Sequence, residues 1–84
     1  MKWKSIGRFL CVDPKVCHGK LCFRGTRILV SDVLELVATG MSWDKIINEC
    51  HGRISRAAIA EAIRFARRAI VKHADEYLER PAPV

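Results

Sequence analysis

The chain has 84 residues, half of them hydrophobic, and a net charge of +6 from fifteen Lys and Arg against nine Asp and Glu. That length admits a single domain spanning 1–84 with a marginal core, which makes a homodimer or a tightly bound partner an expectation. No window reaches the roughly 18 uninterrupted apolar residues of a membrane span. Met1-Lys2-Trp3-Lys4 is followed by Ser5, Gly7 and Arg8, not by an apolar signal core, so a cytoplasmic, soluble protein is expected.

The first third predicts a small basic β region over residues 7–30. Gly7 to Val12, Leu21 to Arg24 and Arg27 to Val30 are short β-prone runs, broken by Pro14, Gly19 and Gly25. They predict a strand pair or three-stranded ribbon with one open edge, which a second chain could cover. Within Arg24-Gly25-Thr26-Arg27, Gly25 supplies a conformation that other residues resist, and the Thr26 hydroxyl ties the turn.

Three helices follow, at about 32–39, 43–50 and 55–78. Val33, Leu34, Leu36 and Val37 form the apolar face of the first, with Ser31 at its cap position and Gly40 at its end. Trp43, Ile46, Ile47 and Cys50 recur at helical spacing in the second, with Ser42 as cap and Asp44 in the first turn, where a negative charge suits the dipole. The Gly40-Met41-Ser42 connection has the form of a helix-turn-helix turn. Ser55 opens the third helix, in which Ile59, Ala62, Ile63, Ala66, Ala69, Ile70, His73 and Tyr77 gather on one side, while Arg56, Arg64, Arg67, Arg68 and Lys72 gather on the other. Pro81 and Pro83 end it, leaving Arg80 to Val84 as a short tail. The fold class expected is mainly α with a small N-terminal β ribbon, its third helix long.

Charge is blocked along the chain. Residues 1–27 carry Lys2, Lys4, Arg8, Lys15, Lys20, Arg24 and Arg27 against Asp13 alone; residues 53–72 carry Arg53, Arg56, Arg64, Arg67, Arg68 and Lys72 against Glu61. The stretch between them is acidic, with Asp32, Glu35, Asp44 and Glu49 against Lys45. Two cationic blocks around an acidic middle fit a polyanion or an acidic protein cleft. Cys11, Cys17, Cys22 and Cys50 read as reduced thiols: with His18 and His51 they lack the short Cys-x₂-Cys pair of a zinc site, so no metal or cofactor is expected. No spacing brings a base to a nucleophile, and no glycine loop cradles phosphate, so binding is expected in place of catalysis.

Asp13-Pro14-Lys15-Val16-Cys17-His18-Gly19-Lys20, Arg24-Gly25-Thr26-Arg27-Ile28, Val30-Ser31-Asp32-Val33-Leu34 and Gly40-Met41-Ser42 together resemble the domain-of-unknown-function-433 family, over about Phe9 to Ala69. Those small prokaryotic proteins are often similar to VapB-like antitoxins of type II toxin–antitoxin modules. The resemblance implies a winged or homeodomain-like three-helix fold, a PIN-like ribonuclease toxin as partner, and binding to operator DNA. The alternative is a stand-alone interaction or regulatory module.

For DNA, a helix-turn-helix would offer Lys45 and Asn48 of its second helix to bases, although Asp44 and Glu49 there would be repelled by phosphate. Lys20, Arg24 and Arg27 on the ribbon, with Arg53 and Arg56 at the start of the third helix, are the better phosphate contacts. For the toxin, Arg64, Arg67, Arg68 and Lys72 could neutralise a carboxylate cluster through bidentate hydrogen bonds.

Overall fold

The computed structural model describes residues 4–78. A three-stranded antiparallel sheet, β1 (Lys4–Ile6), β2 (Leu10–Val12) and β3 (Leu21–Phe23), in the order β1-β2-β3, precedes four helices. These are α1 (Val30–Ala38), α2 (Trp43–Glu49), α3 (Arg56–Lys72) and α4 (Asp75–Leu78). The expected tail from Arg80 to Val84 lies outside the described residues.

Two short turns set the sheet. Gly7, at φ +68°, reverses the chain between β1 and β2, so that Ile6 pairs with Leu10. Thr26 clamps the turn after β3: its hydroxyl donates to Phe23 O at 2.8 Å and accepts from Ile28 N at 3.0 Å, while Gly25 takes φ +76°. Side chains alternate across a strand. Leu10 and Phe23 face the helices, whereas the paired Cys11 and Cys22 are buried on the other side. The connection from Asp13 to Lys20 folds over that side. It opens with Lys15 N donating to Asp13 Oδ1 at 2.9 Å, then turns through left-handed Cys17, His18 and Gly19.

The sheet region departs from the expectation of 7–30 at both ends. A strand forms at Lys4–Ile6, ahead of Gly7, because the glycine lets that segment fold back onto β2. Arg27 to Val30 is not a strand. Its backbone meets β3 at the Cys22–Leu29 bridge and at a bond from Phe23 N to Ile28 O, and Val30 already starts a helix.

Each helix is stopped and started by local chemistry. α1 ends in a Schellman arrangement, with Gly40 at φ +89°, Gly40 N bonded to Val37 O and Met41 N to Leu36 O. α2 ends the same way, with His51 in the left-handed position at φ +56° and Gly52 N bonded to Ile47 O. Ser42 and Ser55 cap α2 and α3 as expected, accepting from Lys45 N and Ala58 N at 3.1 Å. Ser31 does not cap α1: burial of Val30 draws the helix start forward, the cap position falls on Leu29, and no side chain bonds there.

Leu10, Phe23, Val30, Val33, Ile46, Ile54, Ala58, Ile59 and Ala62 form one core between the sheet and the first three helices. Each large member contributes roughly 1.5–3 kcal/mol by leaving water. Partly buried Trp43, Ile47 and Cys50 pack against it from α2, and Met41 from the turn. The third helix is not continuous over 55–78: it ends at Lys72, with His73 outside helical geometry, and α4 resumes at Asp75. The expected packed side of that helix also stops early, since Ile70, His73 and Tyr77 are exposed. Core packing on α3 reaches Ile63 and Phe65, although the apolar period runs on.

Candidate functional site

Glu61 of α3 organises the site. Its carboxylate accepts from Phe9 N at 2.8 Å and from Arg8 N at 3.0 Å, so the β1–β2 turn is clasped to the helix across 52 and 53 residues of chain. A Cβ on Gly7 would lie 2.8 Å from that carboxyl group, so only glycine lets the turn come so close. Partial burial alone would raise the Glu61 pKa. The two backbone N–H groups and the nearby Arg24 and Arg68 outweigh it and hold the carboxyl below its ordinary value.

The clasp brings the two basic blocks together. Arg24 reaches back from beyond β3, with its guanidinium donating to Gly7 O at 3.0 Å and to Ser5 Oγ. Arg53, in the α2–α3 connection, donates to Gly25 O at 3.4 Å. Arg8 lies over the Phe9 ring, 5.3 Å from its centre.

Three open grooves run between these groups. The first, about 460 Å³, is lined by Arg24, Arg27 and Arg53 around the Gly25-Thr26 turn, with Asp13 and Cys11 also in its wall. The second, about 320 Å³, shares Arg24 and Arg53, adds Arg8 and reaches Ser55 at the start of α3. The third, about 290 Å³, shares Arg8 and carries Arg64 and Arg68 beside Glu61. Shared walls join them into a contiguous series of arginine-lined grooves built from four chain segments.

The structure therefore gathers Arg24, Arg27 and Arg53 with Arg64 and Arg68, residues that sequence reasoning had divided between two ligands. Lys20, Lys45, Asn48, Arg67 and Lys72 are exposed but line none of the three grooves. Arg56 is engaged within the protein: it pairs with Asp44 at 3.0 Å and its guanidinium lies 5.2 Å from the centre of the Trp43 ring. It thereby ties α2 to α3. Arg8 and Glu61 were missed as site residues; the signal that could have found Arg8 is its place after Gly7, between two β-prone pieces.

All four cysteines are free, and among the described residues no group of three or more His, Cys, Asp or Glu is placed to hold a metal ion. The Cys17 thiol donates to Arg27 O and that of Cys22 to Lys20 O, each at 3.3 Å. Burial, then the neighbouring Cys17 thiol, pushes Cys22 up to about 11. Among the described residues no helix is long and apolar enough to cross a membrane.

No curated protein and no solved structure matches the chain. A family model described as "Protein of unknown function (DUF433)" matches residues 11–66, from β2 into the middle of α3. That segment holds the thiol-bearing strands, the Gly25-Thr26 turn, Arg53 and Glu61, and leaves Arg8, Arg68 and α4 outside it. With more than half of its length matched, the chain belongs to the DUF433 family.

Proposed function

We propose that the protein is an antitoxin-like DNA-binding module. It would hold operator DNA by its phosphates and neutralise a PIN-like ribonuclease toxin. The observation that carries the reading is that Arg8, Arg24, Arg27, Arg53, Arg64 and Arg68 line three adjoining grooves. Guanidinium groups are suited to phosphate and carboxylate oxygens alike, because their planar fork donates two parallel hydrogen bonds.

In this reading α1 to α3 form a homeodomain-like trihelical body, and the sheet stands beside it as a wing. The grooves, more than the outer side of α2, make the DNA contact. Lys45 and Asn48 on α2 stand among Asp44 and Glu49, whose charge opposes phosphate. The arginine grooves carry Asp13 and Glu61 as their acidic members; Asp13 accepts from Lys15 N, and both Glu61 oxygens are already turned to backbone N–H groups. The toxin would be met through the exposed outer side of α3, where Arg64, Arg67, Arg68 and Lys72 could reach a carboxylate cluster. The chain would work as a homodimer in the cytoplasm, without catalysis of its own.

The test is binding to duplex DNA from the region upstream of its own gene, followed by fluorescence anisotropy over a salt series. Six arginines each neutralising one phosphate give a slope of about −5 for log affinity against log salt. Arg24→Ala and Arg53→Ala should each flatten it by about one. Binding that is absent, or that ignores salt, refutes the DNA part. Growth rescue from a co-expressed neighbouring nuclease, lost in the Arg67→Ala, Arg68→Ala double variant, tests the other; full rescue by that variant refutes it.

A further inference from the structure

Three of the four thiols gather on the sheet side turned away from the core. Cys11 and Cys22 are partners on β2 and β3, and the 13–20 connection brings Cys17 beside them. Cys50 packs against the core from the end of α2 and stands apart from the other three.

Cys22 thus has two sulfur neighbours, and the backbone distinguishes them. Phe9 O accepts from Arg24 N at 2.7 Å, which makes Phe9 and Arg24 a hydrogen-bonded pair, and with them Cys11 and Cys22 two residues along. Side chains stand farther apart in such pairs than in the alternate kind. Cys17 is placed next to Cys22 from both ends. Lys20 N donates to Cys17 O at 3.1 Å, returning the chain to the start of β3, and the Cys22 thiol lies on Lys20 O. The Cys17 thiol lies on Arg27 O, two residues before Leu29, which is bridged to Cys22. The two thiols come within hydrogen-bonding reach of one another.

We propose that Cys17 and Cys22 are a redox pair, joined as a reversible disulfide when a hydroperoxide oxidises Cys17. Access sets the order, because Cys17 is half-buried and Cys22 is fully buried. The Cys17 sulfur attacks one oxygen of hydrogen peroxide and the O–O bond breaks. Cys17 becomes a sulfenic acid, and the other oxygen leaves as water with the thiol proton. The Cys22 sulfur then attacks the Cys17 sulfur, the S–O bond breaks, and the hydroxyl leaves as a second water with the Cys22 proton. Two electrons pass from the pair to the peroxide. Burial keeps Cys22 protonated at neutral pH, so it resists outside reagents yet carries the proton that the departing hydroxyl takes. Cys17 must leave Arg27 O to form the bond. It does so from a turn in which Cys17 and His18 already hold left-handed φ values of +51° and +57°, conformations that side chains resist.

The full chain, reduced, freed of reductant and exposed to excess hydrogen peroxide, tests the proposal by mass spectrometry after denaturation in iodoacetamide. Each chain should become two hydrogens lighter, lose alkylation at Cys17 and Cys22, and give a tryptic crosslink of residues 16–20 to residues 21–24 that dithiothreitol separates. Cys11→Ser should crosslink as the wild type does. Cys22→Ala should stop at the Cys17 sulfenic acid, trapped by dimedone. A wild type that keeps both thiols overturns the proposal, as does a bond from Cys22 to Cys11 or between chains. So does a Cys22→Ala protein with an unchanged far-ultraviolet spectrum and no dimedone adduct at Cys17. The masses are read without nucleic acid or a second protein, so the outcome is independent of the DNA and toxin readings.

Discussion

Replacing Glu61 tests whether the clasp between the β1–β2 turn and α3 holds the fold as described. Glu61→Ala removes an acceptor from Phe9 N at 2.8 Å and Arg8 N at 3.0 Å. Hydrogen bonds to a charged group contribute about 1.5–3 kcal/mol each when shielded from water. Arg8 is exposed and water can replace its bond, so the loss should be about 2 kcal/mol in all. A domain of this size has a total stability of roughly 4–12 kcal/mol, and each kcal/mol moves the midpoint by about 4–8 °C. The expected drop in Tm is therefore about 8–16 °C, read by circular dichroism. Glu61→Gln keeps one acceptor oxygen and should lose about half as much.

The acid dependence of that gap follows from the lowered Glu61 pKa. A carboxyl that holds its proton less tightly folded than unfolded stabilises the fold fully above its unfolded value of about 4.3, and loses that contribution as pH falls through the lower folded value. The difference between wild type and Glu61→Gln should thus be constant from pH 7 to about 5 and close below about 4. A Glu61→Ala protein within about 0.5 kcal/mol of wild type would refute the reasoning, and so would a gap that survives at low pH.

The remaining predictions probe neighbouring features. Gly7→Ala should cost about 2 kcal/mol or more, because a left-handed residue would also press on the Glu61 carboxylate, whereas Gly25→Ala, with open space around its Cβ position, should cost only about 1; denaturant titration separates them. His51→Gly should raise stability by about 0.5–1 kcal/mol, since His51 holds a left-handed φ where glycine fits without strain, seen as a higher urea midpoint. Ser55→Ala should lower stability by about 1 kcal/mol through loss of the α3 cap, checked by the same titration. At pH 8, Cys22 should alkylate on the order of 100-fold more slowly than a free cysteine in a peptide, because its thiol stays protonated; peptide mass spectrometry after timed iodoacetamide treatment reads it.

What could be read from the sequence was what short stretches of chain decide by themselves. Ser42, Ser55, Gly40 and Thr26 act on backbone groups within five residues, so their residue types announce the caps, the helix end and the turn. Failures came where distant segments meet. Nothing near Glu61 in sequence shows that it receives the backbone of Arg8 and Phe9, and without that contact the two basic blocks looked like two sites. Ser31 has the right chemistry for a cap but loses to the burial of Val30, one residue earlier. The length of α3 was overread because apolar spacing reports which residues share a face, not whether anything lies against it.

The stretch from Arg27 to Leu29, laid along β3 without becoming a strand, has a consequence for solubility. It seals one margin of the sheet, and the opposite margin is a three-residue strand beginning at Lys4. A fibril needs a long, bare margin on which copy after copy can dock, and among the described residues neither side supplies it. Runaway stacking through the sheet is thereby discouraged at both borders, even though half of this small chain is hydrophobic.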